Sequence, residues 1–482
     1  MASLPSATVT VSAEAGPSAG GTGYIAVFGC VGTSADITPR VFTSAKSLIA
    51  QHGYSQAVDY AALHIEATRK PVLFIGLPVV TAGTATAVVA TGAGTSVVTV
   101  TPGVAGYLDE VNAVIKVITG GTVGTNGIVI SVSMDGGTTE KLVRLGTATT
   151  YAVPYLGIVI TFGIGTLLAG GKYTFSTTAP MWDSAGLTAA RLALAAQQKP
   201  TRSWMVVGDI ATSTVAGYVT TAVNAYETSN KRFALARVNV RDRLTTETMS
   251  AWVSAMDAAF ATVDSQKRID IGLGRLRKLS PITGWELRRP VAWAASIREY
   301  QKDIHITTWR VDDGPLDGWS AEDASGNVVE YDERSVGGGL AGRFTVATTL
   351  DNGPNGSFIA TSLTRDVEGS LLSYTHNMHV ANLCCTVVQQ VTNRFIGQTP
   401  PLNSDGTMRA DARSKLESRV NTALARALLS EFVPGEGARA SLAVWTMSTS
   451  DVLNVVGATV TGAAKLEVNG TIVSVITNVR VS

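Results

Sequence analysis

The sequence predicts a multi-domain chain of the α/β (α+β) class, with a mixed-sheet core, an inserted all-β domain and extended β-arms at both ends. Three observations carry this prediction. Apolar runs of strand length alternate with helical patterns in two separated stretches. Between those stretches, from about Thr81 to Pro180, the texture changes to Thr, Val, Gly and Ala with few charges. Finally, residues 6–13 (SATVTVSA) and 470–481 (GTIVSVITNVRV) read as strands with no core of their own.

The first arm alternates apolar and polar residues through Thr8, Val9, Thr10 and Val11, and the last is rich in Ile472, Val473, Val475, Ile476 and Val479. Each exposes unpaired backbone donors and acceptors unless it joins a sheet, and the spacer glycines Gly16, Gly20, Gly21 and Gly23 let the first leave its own body. At roughly 3.3 Å per residue the C-terminal arm spans about 40 Å, enough to reach a second subunit. Residues 24–31 (YIAVFGCV) follow as a buried strand, 43–52 and 57–68 as helices, and 72–77 (VLFIGL) as another buried strand closed by Pro78. The stretch 81–180 breaks into short alternating runs at 96–101, 128–134 and 156–162, separated by Gly-rich turns such as Asp135-Gly136-Gly137. Its two ends, Pro78 and Pro180, should lie close together.

The α/β pattern resumes with helices over 184–198, 215–227 and 246–263 and strands over 204–207, 233–238 and 269–273. This spacing implies right-handed crossovers and a largely parallel sheet. Pro290 kinks or starts a helix, 304–311 reads as a strand, and 312–342 as an acidic, Gly-rich connection. Helices are expected over 371–391 and 408–432, the latter with an apolar face of Met408, Ala412, Leu416, Val420, Ala423, Leu424, Ala427 and Leu428. Strands over 441–447 and 460–468 and the last arm close the chain.

Charged residues make up 16% of the 482, against a usual value of about 25%, while 45% are hydrophobic and 48 are glycine. Such a neutral surface suits burial between subunits. A net charge of +1 gives no general case for nucleic acid, and no run is long and apolar enough to span a bilayer. The start has no secretory pattern, which points to synthesis and assembly in a cytoplasm. Cys30, Cys384 and Cys385 cannot close a set of internal disulfides and match no metal spacing. They read as buried reduced thiols, or as thiols kept for pairing between subunits.

Catalytic patterns fail on context. Gly16-Pro17-Ser18-Ala19-Gly20 has the spacing of a nucleophile elbow but opens into a Gly-rich spacer. Gly272-Leu273-Gly274 follows a strand, yet Arg277 stands where a dinucleotide loop needs glycine, and Tyr173 occupies the magnesium-binding place after Gly170-Gly171-Lys172. His376 and His379 share a helical face without a carboxylate or thiol in register, and Asp312, Asp313 and Asp317 lack calcium-loop alternation. No catalytic residue, cofactor or metal is expected. On the helix 408–432, Arg409, Arg413, Lys415, Arg419 and Arg426 form either a solvated face eased by Asp411 to Lys415 and Arg413 to Glu417 pairs, or a stripe for an acidic partner.

The order of these features resembles a contractile phage tail sheath protein. The resemblance rests on residues 8–79, with a β-arm, short strand, Thr-Ser helix start and Tyr60-Ala61-Ala62; on the phrase LLAGGKYTFSTTAPMW; and on the long helix and ending EVNGTIVSVITNVRVS. It implies an arm and linker over 1–23, sheath core over 24–80, a peripheral β-domain over 81–180, and a middle α/β domain over 181–356. It further implies a tube-facing C-terminal domain over 357–469 and an arm over 470–482. Such subunits build stacked hexameric rings around a tail tube, with baseplate and terminator proteins as further partners. Their arms add strands to neighbouring subunits, with the basic helix face as candidate tube contact, and contraction drives the tube through the host envelope. The expected place is the virion tail, after assembly in the bacterial cytoplasm. A non-contractile surface-layer or adhesive subunit is the main rival, and an α/β enzyme with a carbohydrate-binding insert a further one.

Overall fold

The computed structural model describes residues 23–468 apart from 33–34, 93, 198, 245, 262–265, 323–325, 352, 367–369, 432–435 and 454–459. Both arms therefore lie outside the described residues, as does the Gly16 to Gly20 motif. Among the described residues there are eight α-helices, and none is long and apolar enough to cross a membrane.

The chain begins with β1 (Tyr24–Cys30), β2 (Arg40–Phe42), α1 (Ala45–His52), α2 (Gln56–Thr68) and β3 (Val72–Leu77). Ser44 and Ser55 start the two helices by accepting the N–H of Ser47 and Val58, which supplies partners for otherwise orphaned donors. After residue 180 come α3 (Ser184–Ala196), a long strand at Thr201–Ile210, a helix at Ser213–Thr228, a strand at Leu235–Val240, a helix at Met249–Phe260 and a strand at Gln266–Gly272. These strands join β1 and β3 in one seven-stranded sheet whose five central members run parallel, with antiparallel β2 at one edge and the short strand Thr364–Arg365 at the other.

Helices cover both faces of this sheet. Leu187, Leu194, Val219, Trp252 and Met256 pack on one side with Phe28 and Ile75; Leu48, Tyr60, Ala61, Trp293 and Ile297 pack on the other with Val27 and Phe74. Central strands buried on both faces explain why these segments read as unbroken apolar runs.

All strands between residues 89 and 177 pair antiparallel, and only with one another. They form a five-stranded sheet around Val111–Thr119, a three-stranded sheet around Ile158–Phe162 and a small two-stranded pair. Ile115, Ile130, Val132, Ile158, Ile160 and Phe162 share one core between them. Thr81 and Met181 bridge, with Met181 N–H donating to the Thr81 carbonyl at 2.8 Å, so the stretch leaves and returns at one point.

Two readings are corrected here. Residues 304–311 are not a strand but a series of turns, because their apolar side chains serve separate ends: Ile304 packs into the C-terminal cluster, while Trp309 lies against Tyr374 and His376 at 5.7 and 5.3 Å between ring centres. Conversely, strands form at Arg275–Leu279 (RLRKL) and Glu286–Pro290 (ELRRP), where the charge content gave no strand signal. Their arginines point into protein. Arg275 meets Glu110 at 3.3 Å and also pairs with Asp209, while Arg288 holds Asp242 and, at 2.8 Å, Glu330.

The most enclosed of these arginines is Arg289, at zero exposure. Its guanidinium takes both oxygens of Asp109 at 2.7 Å, a second carboxylate from Asp59 on α2, and the Tyr54 hydroxyl at 3.2 Å. One side chain thus joins the helical layer, the strand Glu286–Pro290 and the stretch 81–180. We expect Arg289→Ala, which strands two buried carboxylates, to destabilise the protein by about 3–5 kcal/mol in denaturant unfolding; a loss below about 1 kcal/mol would show that water reaches the site.

Candidate functional site: the C-terminal assembly surface

The C-terminal part is built from two helices and a hairpin. The helix Thr375–Thr392 is almost wholly buried against the core, and its burial is organised by Glu299 on the helix Val291–Gln301. Glu299 lies 2.9 Å from His379, 3.0 Å from Arg237 and 3.4 Å from Arg202. Burial opposes ionisation of this carboxyl, but His379, Arg237 and Arg202 outweigh it and hold its pKa well below the usual range. His379 is therefore a structural contact to the core. Burial depresses His376 to about 3, keeping it neutral among Trp309 and Tyr374. Among the described residues no cluster of His, Cys, Asp or Glu could hold a metal.

The second helix, Ala410–Leu424, continues through a π turn, Ala425–Leu429. Met408, Val420, Leu424 and Leu428 are buried, with Ala412, Leu416 and Ala427 packed beside them. Against this face lies a two-stranded antiparallel sheet, Ala440–Met447 with Gly462–Val468, which turns Ala443, Trp445, Met447 and Leu466 inward and Ser441, Val444, Thr446, Lys465 and Glu467 outward. The helix also reaches the strand's backbone. Asn421 donates to the Trp445 carbonyl at 3.0 Å and accepts its N–H at 2.7 Å, and Glu417 accepts the Met447 N–H at 2.8 Å.

That bond changes the account of the basic face. Glu417 serves the sheet rather than Arg413, and Asp411 lies 3.2 Å from Arg409 rather than pairing with Lys415. The i,i+4 relief expected from sequence does not form. Lys415, Arg419 and Arg426 are exposed and have no ion-pair partner among the described residues; Arg413 is half-buried. At about 100° per residue, Lys415 and Arg419 align one turn apart with Arg426 two turns on, while Arg409 and Arg413 fall on the other side. The five cations thus divide into a three-residue stripe and a separate pair.

Cys30, Cys384 and Cys385 are all buried and none forms a disulfide within the chain. Burial pushes the Cys30 thiol up to about 12 and that of Cys384 well above its ordinary value. The Gly272 to Arg277 motif is a tight turn between two strands, with Gly274 at φ 99° against the Tyr331 ring; Gly170 to Tyr173 is a turn into a strand. Near the carboxyl ends of β1 and the strand Thr201–Ile210, Cys30, Ser55, Leu108, Ala179, Pro180 and Val207 line a cavity of about 10 Å³.

No protein-family model and no curated protein matches this sequence. Among solved structures, the chain is similar to the sheath tail protein of Desulfitobacterium hafniense, at 11% identity and a TM-score of 0.45, over 95% of this chain and 100% of that one. It is similar to the sheath tail protein of Listeria innocua at 11% identity and a TM-score of 0.42, over 93% and 96%. A PVC sheath complex of an extracellular contractile injection system, in its contracted state, matches at 11% identity and a TM-score of 0.39, over 64% and 76%. These structural neighbours are sheath tail proteins.

The placement of the thiols makes a direct expectation. A thiol reagent should modify the native protein at least about a hundredfold more slowly than the urea-unfolded chain, since buried cysteines are inert; rapid modification of one thiol in the native state would place it at an accessible surface.

Proposed function

We propose that this chain is the subunit of a contractile tail sheath: a structural virion protein that polymerises as stacked hexameric rings around a tail tube and shortens to drive the tube through the host envelope. The observation that carries the reading is the sheet of the C-terminal part, two-stranded among the described residues, in a chain whose two terminal segments both have the sequence of bare strands. Strand addition between copies supplies main-chain hydrogen bonds that hold a mesh while bodies re-pack. The arms are the links, through Thr8 to Val11 and Ile472 to Val479. The stretch 81–180 is an inserted peripheral domain fixed to the core by Arg289, and the C-terminal part faces the tube.

The exposed stripe of Lys415, Arg419 and Arg426 suits an acidic tube surface, because unpaired cations on one helix side steer and register a complementary partner. Baseplate and terminator proteins complete the partner set. The subunit assembles in the bacterial cytoplasm and resides in the virion tail. Neither nucleic acid nor membrane is a partner in this reading, and the protein is not an enzyme.

Negative-stain microscopy of the purified protein tests the core of the proposal: tubes with a wide lumen are expected, and flat lattices would instead favour a surface-layer subunit. Deleting residues 471–482 should leave folded subunits that fail to polymerise; normal tubes from that truncation would remove the arm argument. Lys415→Glu with Arg419→Glu should abolish tube-templated assembly while changing stability by less than about 0.5 kcal/mol, as for other surface positions. Arg413→Glu should act less on assembly, and equal effects from both would contradict the division of the basic face.

A further inference from the structure

The turn series that follows the helix Val291–Gln301 is joined to the start of the C-terminal hairpin by charged side chains. Asp303 receives the Arg439 guanidinium on both carboxylate oxygens at 2.9 Å, and Arg439 also donates to the Ala427 carbonyl in the π turn at 3.0 Å. Arg439 immediately precedes the strand Ala440–Met447, so one side chain ties that strand, the end of its helix and the body together. Arg310 adds a contact to Glu436 at 3.2 Å. Ile304, next to Asp303, packs into the C-terminal apolar cluster.

His305 sits within this clasp with 8% of its side chain exposed. Its Nδ1 lies 3.4 Å from the Asp303 carboxylate and its Nε2 3.1 Å from the Glu436 carbonyl oxygen. Both facing atoms are acceptors. A neutral imidazole carries a single N–H and would turn a lone pair toward the second oxygen, so only the imidazolium satisfies both contacts at once. The other charged and titratable groups that bear on the site come from three directions. Arg439 and the Glu436 carboxylate lie at the start of the hairpin, His376 acts on His305 from the helix Thr375–Thr392, and Lys70 acts on Asp303 from beyond α2.

We propose that His305 is a pH-sensitive clasp: as the imidazolium it fixes residues 436–440, the root of the C-terminal hairpin, to the body, and its deprotonation loosens that root. Burial opposes the charge, but the Asp303 carboxylate and the Glu436 carbonyl outweigh both burial and Arg439, and they raise the His305 pKa above its ordinary value. An unperturbed histidine titrates near about 6.5. The contribution of His305 is therefore complete below that pH and is lost as pH rises through the higher native value. Every other histidine of the chain is shifted the opposite way, since burial lowers His52, His64, His376 and His379. The proposal concerns the single subunit and does not rest on the sheath reading.

Two measurements on the full chain test it. With the histidine rings labelled with ¹⁵N, an NMR titration should show one of the five imidazoles protonated on both nitrogens at about pH 6.5, with its midpoint above the ordinary histidine value. That signal should be absent from His305→Gln. A neutral His305 ring at that pH, or a midpoint at or below the ordinary value, would overturn the proposal, and this readout needs only the wild-type protein. Amide hydrogen exchange then reads the mechanical consequence. After correction for intrinsic rates, protection over Ala440–Met447 should fall about tenfold between about pH 6 and pH 9, as for the loss of one hydrogen bond to a charged group, while Thr201–Ile210 keeps its protection. His305→Gln should show the weaker protection at both pH values. Protection that does not change with pH, or a loss that persists unaltered in His305→Gln, would show that this histidine holds nothing in place.

Discussion

A guanidinium removed from water must be met by carboxylates, and the pieces of this chain are assembled around that requirement. Arg289 cannot keep its charge at zero exposure unless Asp59 and Asp109 are both present, and they come from segments 50 residues apart in sequence, one on α2 and one within the stretch 81–180. Breaking such a group costs far more than a surface pair because each remaining charge stays buried. Arg275, bridging Glu110 and Asp209, repeats the arrangement one residue along. The β stretch is thus tied to the body by ions as well as by Tyr54, Trp285 and Leu287, which join its apolar core.

The same logic anchors the C-terminal part. Glu299 is the common counter-charge of Arg202 and Arg237 in the sheet and lies beside His379 in the helix above. Arg268 extends the seam by pairing with Glu227 at 2.8 Å and reaching Asn382. Directional contacts of this kind specify one docking angle, where interchangeable apolar side chains would allow several.

At the far side of that body, polar side chains decide where another strand can add. Asn421 and Glu417 use hydrogen bonds that a helix surface normally gives to water, and apply them to the outer edge of the strand Ala440–Met447. Among the described residues no strand pairs with the opposite edge. An edge is usually blunted by charge, proline or bulges; here one edge is covered by the adjacent helix, which makes the sheet directional.

Much of the fold was legible in the sequence because burial on both faces leaves an unmistakable apolar run: residues 24–30 and 72–77 declare themselves, and the helices expected over 43–52 and 57–68 form at Ala45–His52 and Gln56–Thr68. The alternation of the first terminal segment and the Val and Ile content of the last are likewise local properties of the chain. The strands at Arg275–Leu279 and Glu286–Pro290 were not legible, since their burial depends on carboxylates distant in sequence that no window around them contains. Nor was the turn series at 304–311, whose apolar spacing imitates a strand while serving two separate clusters. In the C-terminal part, sequence placed five cations on one helix, but only the folded hairpin revealed that Glu417 is committed to Met447 and leaves the basic stripe unrelieved. Sequence determined the buried strands and covering helices of the parallel sheet, because those follow from periodicity over a few residues. Tertiary structure alone decided which charges are buried and which edge of the C-terminal sheet its own helix covers, because both depend on partners outside any local window of sequence.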